Sequence, residues 1–431
     1  MAPLRPLRSR FMPLMLLLAA RPASASATPS EAHRLGFAID AYAKPLVARG
    51  DLSGQLLVAR RGVILLERNY GYANWELRSP VTAETRFDIM SVTKPMTGTI
   101  AIQLLQEKVF ALHDSIARWF PDFPKGDRIT VEHLLRHRSG IPHELVPDSE
   151  ATRPRTAADM VEIAKRRPLD FEPGSKSSYS SGGFSVLVRV LELVSGKNYE
   201  QLLTERIFTP LGMTHSSDHD SRRLLPGRAS PVVPGPGGNQ NAVYQDFSGI
   251  VGAGSVWSTA RDLHLFVQGL VAGKLGKGPQ LSYLNRGKID FNGQGGGFRS
   301  FCDYDSATGL EVIFLGNLHT GAPDLLRSAI PRLAAGEAVP PVVLPAATPR
   351  AAGELARAVG TFQLENGTKL VLRVKHDTLW ANDWVLLPEQ GGAYFSPRDY
   401  GTVRLVENNG KVDRLDWEQR GEKYPAPRIG D

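Results

Sequence analysis

The feature that most constrains the fold of this chain is the wide separation of two groups of strand-forming residues. An early pair of apolar runs covers residues 55–59 and 63–68, and Arg60-Arg61-Gly62 between them is typical of a hairpin turn. A later pair covers residues 297–304 and 310–315, roughly 230 residues further along, and the chain between is mostly helical and loop-rich. We therefore predict an α+β fold, in which an antiparallel sheet flanked by helices joins both ends of a domain and a helical subdomain is inserted between them.

The C-terminal part of the chain has a different character. A Pro/Ala-rich stretch at residues 338–351 is typical of a linker, and short alternating runs follow it at 360–364, 370–374, 393–397 and 403–406. We predict a main domain over residues 28–337, the linker over 338–351, and a small all-β domain over 352–431.

The first 27 residues have the order of a secretory signal peptide. Basic residues come first, the apolar run 11–20 follows, and small residues occupy 23–27, while no acidic residue precedes Glu31. The apolar run is about half the roughly 20 residues that a transmembrane helix requires. We predict a signal peptide over residues 1–27, cleaved after Ala25 or Ala27, and a periplasmic or secreted protein with no membrane span after its removal.

The net charge does not indicate a nucleic-acid partner. The chain has 51 Lys plus Arg against 44 Asp plus Glu, a formal charge of +7. Four arginines of this excess, Arg5, Arg8, Arg10 and Arg21, lie in the predicted signal peptide, so the mature chain would carry about +3. The single cysteine, Cys302, excludes a disulfide scaffold and alternates within a strand run, as a small packed residue would.

Ser91 and Lys94 form an S-x-x-K motif at the start of an apolar helical run. Residues three apart share one face of a helix, so a neutral lysine amine could take the serine proton. Burial and the helix N-terminus would both lower the lysine pKa toward that role. An N-cap serine with a surface lysine has the same spacing, and about one such match is expected by chance.

The sequence around this motif makes a stronger case. Further sequence motifs lie before and after Ser91 and Lys94, at residues 86–90, 129–142, 171–174, 179–183, 210–213 and 257–263. In this order and spacing the chain resembles the serine β-lactamase and penicillin-binding-protein-like family. The closest branch is that of class C β-lactamases, D-alanyl-D-alanine carboxypeptidases and β-lactamase-like esterases. The resemblance covers roughly residues 30–335 and implies a β-lactamase/transpeptidase-like fold without a cofactor, and the tail resembles the small β domain of some members.

The resemblance implies a role for several residues. Ser91 would be the acylated nucleophile, Lys94 its proton acceptor, and Tyr179 the residue that passes a proton to the leaving group. Such a phenol needs a lowered pKa, which a nearby lysine ammonium would give it. A buried aromatic ring with a satisfied hydroxyl is the alternative for Tyr179. The backbone N–H groups of Ser91 and Gly297 would form the oxyanion hole.

Two positions of the substrate-binding set depart from the family pattern. Ser181 stands where the second motif usually has Asn, and Gln294-Gly295-Gly296 is the best match to a third motif that usually begins with Lys or His. A glutamine offers a substrate carboxylate no charge-assisted partner, a loss of about 1.5–3 kcal/mol. We therefore expect an ester or amide substrate and esterase-like activity, with β-lactamase or carboxypeptidase activity left open. A plain flexible loop is the alternative for the glycine run.

The same departures support a second hypothesis. The chain could be a catalytically weak or inactive homologue that binds a cell-wall peptide or a protein partner, rather than a hydrolase of a small ester, amide or peptide.

The histidines do not suggest a metal site. His133 and His137 have an i, i+4 spacing, but Glu132 precedes the first histidine, whereas the zincin pattern has Glu after it. His319-Thr320-Gly321 spells the third family motif, yet it follows the last strand of the sheet and has no strand after it to pair with. We predict no metal and no role for His319 in the site.

Overall fold

The computed structural model describes residues 29–276, 287–346, 348, 352–408, 410–419 and 421–430. The predicted signal peptide, residues 1–27, lies outside the described residues, so its cleavage and the export of the protein stay predictions. Within the described part of the chain, no helix combines the length and the apolar character that crossing a membrane would need.

The central sheet joins the two ends of the main domain, as predicted. Its order is β10 (Lys288–Gly295), β11 (Phe298–Asp305), β12 (Leu310–Gly316), β1 (Gly54–Arg60) and β2 (Val63–Tyr70), and every neighbouring pair is antiparallel. The predicted hairpins are β1–β2 and β11–β12, and β1 pairs with β12 so that Leu56 faces Phe314.

The edge strand β10 has no counterpart among the strand patterns. Its residues alternate between exposed and buried along the strand, but they include two glycines and several polar residues, which have low β propensity. Pairing with β11 holds this segment in the sheet, with Gly293 opposite Ser300 and Gln294 opposite Arg299. The tertiary pairing, rather than local propensity, therefore makes it a strand.

Helices cover both faces of the sheet. On one face, α1 (Pro29–Arg49) and α9 (Ala322–Ala334) pack together, with Ile39 and Ile330 fully buried in the same cluster. On the other face lie α8 (Ala260–Val271) and the inserted helical subdomain. The helices of that region are α2 (Thr93–Gln106), α3 (Val131–Leu135), α4 (Ala157–Lys165), α5 (Ser181–Ser195), α6 (Tyr199–Leu203) and α7 (Thr209–Leu211).

Local caps explain where these helices begin and end. Thr130 and Thr156 each close a capping box at the start of α3 and α4, and Thr259 accepts a hydrogen bond from the Asp262 N–H at the start of α8. Ser180 caps α5, which ends at Gly196 with φ of 70°. Short strands connect the subdomain to the rest: β3 (Tyr72–Asn74), β4 (Ser79–Pro80), β5 (Phe87–Asp88), β6 (Ser217–Asp218), β7 (Val232–Gly235), β8 (Gly238–Asn241) and β9 (Val256–Ser258).

The C-terminal region is an eight-stranded closed barrel, which confirms the predicted all-β character. A short helix, α10 (Ala352–Arg357), precedes it, and its core includes Phe362, Leu372, Leu386 and Trp417. The strands are β13 (Gly360–Gln363), β14 (Lys369–Lys375), β15 (Thr378–Ala381), β16 (Trp384–Pro388), β17 (Tyr394–Ser396), β18 (Gly401–Asn408), β19 (Lys411–Gln419) and β20 (Glu422–Gly430).

The barrel packs against the main domain through a small set of specific contacts. The Tyr400 hydroxyl donates to the Asp51 carboxylate, and the Arg49 guanidinium lies 4.4 Å from the centre of the Phe395 ring. The Gly321 N–H donates to the Pro397 carbonyl at 2.9 Å. These contacts lie at the end of α1 and before α9.

Candidate active site

Ser91 lies in a tight turn that leads into α2, not at the N-cap of that helix. The turn Met90–Val92 is a short 3-10 segment, and no side chain caps α2. Met90 has φ of 51°, and the Asp88 carboxylate holds it by accepting the Met90 N–H at 2.7 Å. A non-glycine residue in this region is strained, and such strain is concentrated at functional sites. The N-cap alternative for Ser91 therefore does not apply.

Lys94 is buried directly beside Ser91. Its Nζ lies 3.1 Å from Ser91 Oγ, 3.1 Å from Ser181 Oγ and 2.8 Å from the Ala253 carbonyl oxygen. Burial lowers the pKa of Lys94 to about 7. A large fraction of the amine is thus neutral near pH 7, with a lone pair that can accept the Ser91 proton. The surface-lysine alternative is excluded because the side chain is only 6% exposed.

Tyr179 is hydrogen-bonded to Ser91, but its pKa differs from the expectation. Burial raises the pKa of Tyr179 above its ordinary value, and the hydrogen bond between Tyr179 and Ser91 offsets this only in part. Lys94 Nζ lies 4.6 Å from the centre of the Tyr179 ring, but burial, and not the lysine charge, dominates the pKa of the phenol. Tyr179 is therefore protonated at neutral pH, and it is suited to donate a proton rather than to accept one.

Two histidines flank the Tyr179 ring, and the sequence patterns did not reveal this arrangement. The rings of His137 and His143 have their centres 4.7 Å and 5.3 Å from that of Tyr179. Each Nδ1 accepts a backbone N–H at 3.1 Å, from Ser180 and Ser181 respectively. Burial and the Lys94 charge lower both pKa values, that of His137 to about 4. Both rings are therefore neutral and carry their proton on Nε2.

The i, i+4 pair of histidines does not form on a helix. Helix α3 ends at Leu135, and His137 lies beyond it with φ of 55°. His133 Nδ1 instead accepts the Thr130 N–H at 3.4 Å in the capping box. Among the described residues, no group of three or more His, Cys, Asp or Glu side chains is placed to hold a metal ion.

The strand β10 brings a glycine against the nucleophile, but it is Gly293 and not Gly297. A Cβ at Gly293 would lie 3.0 Å from Ser91 N and 2.4 Å from the Ile89 carbonyl oxygen. A Cβ at Gly297 would instead meet Pro231 and Ala242, and Gly297 is not part of the cavity wall. The chain turns after Gly295, and this turn carries Gly297 away from Ser91. The structure therefore places Gly293, and not the predicted Gly297, against the backbone of Ser91.

Gln294 lies at the cavity, and a cation lies behind it. The Gln294 Oε1 accepts a hydrogen bond from Arg299 Nη1 at 2.5 Å across the β10–β11 pair. Arg299 also forms an ion pair with Asp324 at 2.5 Å, and its side chain is 9% exposed. The Asp324 carboxylate balances this guanidinium, so position 294 presents a neutral amide to the cavity.

These groups meet at a cavity of about 660 Å³. Of the predicted site residues, Ser91, Tyr179, Ser181, Gln294, Gly295 and Gly296 line it. His143 and Asn292 also contribute to the wall, and sequence analysis missed both. The charged side chains of the lining are carboxylates, and within the described part of the chain no lysine or arginine belongs to it; the carboxylates are Glu144, Asp148, Asp246 and Asp290.

His319 lies away from this cavity. It follows β12, and it does not line the cavity around Ser91. Burial lowers its pKa to about 3, with help from the charges of Arg398 and Arg299. Cys302 is likewise buried, in β11 opposite Ile313.

Ser91 in the turn before α2, the buried Lys94 one turn later and Tyr179 from a second segment thus come together as the resemblance to β-lactamase-type proteins predicts. The family model described as Beta-lactamase matches residues 39–296, and the chain belongs to this family. The resemblance seen in the sequence is thereby confirmed. The family is one of serine hydrolases that act on amides or esters, and some of its members lack activity.

Individual relatives agree with this assignment. The chain is similar to penicillin-binding protein 4* of Bacillus subtilis (strain 168), with 31% identity over 239 residues, 51% of this chain and 52% of that protein. It is also similar to the protein flp of Staphylococcus aureus (strain NCTC 8325 / PS 47), with 26% identity over 213 residues, 46% of this chain and 43% of that protein. The chain thus spans about half the length of the curated relatives it matches.

Solved structures share the fold. The D-amino acid amidase from Ochrobactrum anthropi SV3, in complex with L-phenylalanine amide, has a TM-score of 0.61 at 24% identity and covers 69% of this chain and 97% of its own. The structure of SurE has a TM-score of 0.61 at 21% identity and covers 93% of this chain and all of its own. The β-lactamase/transpeptidase-like fold with an appended barrel is therefore confirmed.

Proposed function

We propose that this protein is an exported serine hydrolase that cleaves an ester or amide bond through an acyl-enzyme on Ser91. The observation that carries the proposal is the contact between Lys94 and Ser91. A buried amine lies 3.1 Å from the hydroxyl, and burial lowers its pKa to about 7. A general base with a pKa near the working pH is the most effective kind.

The mechanism follows from the contacts of the three side chains. Neutral Lys94 accepts the Ser91 proton as Oγ attacks the substrate carbonyl carbon, and the carbonyl oxygen becomes an oxyanion. Protonated Tyr179, hydrogen-bonded to Ser91, gives its proton to the departing oxygen or nitrogen and regains one from the Lys94 ammonium. Water then attacks the ester of Ser91, with the same groups acting in reverse. The protons balance without a cofactor.

The oxyanion would lie between the Ser91 N–H and the β10 backbone. Gly293 brings that strand into contact with the Ser91 amide, so a strand N–H can point at the same oxygen. The substrate would then bind along the cavity wall that is formed by Gln294, Gly295 and Gly296.

The cavity supports a substrate without a carboxylate next to the scissile bond. Gln294 is neutral, the guanidinium behind it is paired with Asp324, and the cavity lining carries carboxylates. A substrate carboxylate would lose a charge-assisted hydrogen bond and would meet like charges. We therefore favour esterase or amidase activity over β-lactamase or D-alanyl-D-alanine carboxypeptidase activity.

The direct test is labelling with a fluorophosphonate probe, which modifies activated serines. The wild-type protein should gain one probe mass on the peptide that contains Ser91, and Ser91→Ala should not. Ser79→Ala, which removes an exposed hydroxyl in β4, is the matched control and should be labelled like wild type. Equal labelling of wild type and Ser91→Ala would show that the nucleophile is assigned wrongly.

Export is a separate part of the proposal, supported by the order of residues at the start of the chain. Expression of the full chain in a bacterial host, followed by mass analysis of the recovered protein, should give a mature N-terminus at Ser26 or Thr28. Recovery of the intact leader in the cytoplasm would contradict export without affecting the hydrolase proposal.

A weak or inactive binding protein remains the competing function, and one feature favours it. Ser181 offers a short hydroxyl, already in contact with Lys94, where the family pattern has an amide able to reach the substrate as well. Ser91-dependent turnover of a short-chain ester would exclude this alternative. Tight binding of a cell-wall peptide by Ser91→Ala and wild type alike, without turnover, would establish it.

A further inference from the structure

We infer that the cavity selects substrates that carry an ammonium group together with an apolar body, such as the ester or amide of an apolar amino acid with a free amine. This inference rests on the proposed function, because it names the substrate class of the same site. Its basis is the charge and the apolar character of the side chains that line the cavity.

Two carboxylates of the lining form no ion pair within the part of the chain that the structure describes. Glu144 and Asp148 lie on the loop that follows the His137–Pro142 segment, and both are exposed at the cavity. Neither forms an ion pair with any described residue. Asp290 differs, because it pairs with Arg327, a guanidinium that it shares with Asp303. Uncompensated charges of one sign in a cleft attract oppositely charged ligands.

A third carboxylate is buried in the cavity wall. Asp246 is 3% exposed, and its Oδ1 accepts hydrogen bonds from Ser248 N at 3.1 Å and Ser248 Oγ at 2.5 Å. His219 Nε2 lies 3.2 Å from the same oxygen. Burial raises the Asp246 pKa, but hydrogen bonds from His219 and Ser248 outweigh it and hold the pKa below its usual range. The other oxygen, Oδ2, is buried without a hydrogen bond of good geometry.

Among the residues that the structure describes, no lysine or arginine lines this cavity. Lys94 contacts Ser91 beside the cavity, and with a pKa of about 7 it is only partly charged at neutral pH. Arg299 is engaged by Asp324 and Gln294. The cavity therefore favours a cationic ligand and disfavours an anionic one.

The rest of the lining fits an apolar body. Leu145, Val146, Met160, Phe247 and Ile250 form a hydrophobic part of the wall beside the carboxylates. A volume of about 660 Å³ lies in the range of small-molecule sites. A substrate with one ammonium group and one apolar side chain matches both parts of the wall.

The test compares two anilides of the same shape. Leucine p-nitroanilide carries the ammonium group, and 2,4-dimethylpentanoyl p-nitroanilide has a methyl group in its place. Both enantiomers of each are used, since the wall does not define the configuration. Wild type should hydrolyse one leucine enantiomer with a kcat/KM about tenfold or more above that of its neutral counterpart. Added salt should reduce this preference.

The double variant Glu144→Gln/Asp148→Asn should lose most of the preference for the anilide that carries the ammonium group. Both side chains are exposed, so the fold should tolerate the change, and a thermal melt checks this. Glu84→Gln is the matched control, because it removes an exposed carboxylate that does not line the cavity. It should leave the preference unchanged.

The outcomes separate this inference from the proposed function. If wild type labels at Ser91 and hydrolyses both anilides equally, or prefers the neutral one, the ammonium inference is wrong and the hydrolase proposal stands. An amine preference that survives in the double variant also overturns it. If Ser91 is neither labelled nor needed for turnover, the proposed function itself fails.

Discussion

Gly293 in β10 packs against the backbone of Ser91 in the turn that precedes α2. A methyl group on Gly293 would lie 3.0 Å from Ser91 N, and also 2.4 Å from the Ile89 carbonyl oxygen and 2.4 Å from Ser300 Oγ. Two of these three neighbours are backbone atoms, which cannot rotate away. The nucleophile and the sheet edge can therefore meet only where the strand has no side chain.

Gly293→Ala should accordingly push β10 away from Ser91. We expect at least a hundredfold loss in the rate of fluorophosphonate labelling, and a loss of about 1–3 kcal/mol in the free energy of unfolding from overpacking. Stopped labelling followed by mass analysis measures the first, and urea unfolding the second. Gly237→Ala is the control, since a Cβ there has nothing within 4 Å. A normal labelling rate in Gly293→Ala would show that β10 does not shape the site.

This contact also shows what the sequence could and could not predict. The wide separation of the strand pairs predicted the sheet, and the ordered blocks predicted the meeting of Ser91, Lys94 and Tyr179. Residues 293–297 contain four glycines, and no sequence pattern tells which of them faces the nucleophile. That depends on where β10 ends and turns, which is set by its pairing with β11.

The position of His143 beside Tyr179 could not be predicted from the sequence either. His143 is 36 residues from Tyr179 in sequence and shares no spacing rule with it. A hydrogen bond from the Ser181 N–H and the docking of its loop on α5 bring the two rings together. Long-range contacts of this kind leave no periodic signal, so only the structure reveals them.

The rate of acylation should rise with pH around neutrality. Lys94 must be neutral to accept the Ser91 proton, and its pKa is about 7, so the reactive form grows as pH passes through that value. The pKa of Tyr179 is raised above 10.0, so the phenol stays protonated and no fall is expected below that pH. Labelling rates between pH 5 and 9 should follow one ionisation near 7. A flat profile would exclude Lys94 as the base.

The pH dependence of labelling should also be measured for the variant Lys94→Arg. Lys94→Arg keeps the charge but cannot become neutral in this pH range, because the arginine pKa exceeds 12. We expect the labelling rate to fall by about a thousandfold and to lose its pH dependence. A variant that kept the wild-type profile would assign the ionisation near pH 7 to another group.

His143 should act as a positioning residue for Tyr179 and Ser181. Replacing it with alanine removes the acceptor for the Ser181 N–H and one wall of the tyrosine ring. We expect kcat to fall about tenfold with a small change in KM, since the lost bond is worth about 1 kcal/mol or more. His143→Asn should restore part of the rate, because its side-chain oxygen can accept the same N–H. A loss confined to stability, with kcat unchanged, would contradict this role.

The last prediction concerns the charge at position 294. Gln294→Lys would bring an ammonium group to the cavity wall, but it would also remove the acceptor for Arg299 and place two cations side by side, with Asp324 to balance only one. For a substrate ester that also carries a free carboxylate, we expect kcat/KM to rise about tenfold. The reference is the value for the same substrate with that carboxylate masked as a methyl ester. The melting temperature should fall, because like charges are close together.

Gln294→Met is the matched control, since it removes the acceptor without adding charge, and it should lower stability without shifting the substrate preference. If Gln294→Lys leaves the ratio of the two rates unchanged, this strand does not contact the substrate, and the substrate must lie elsewhere in the cavity.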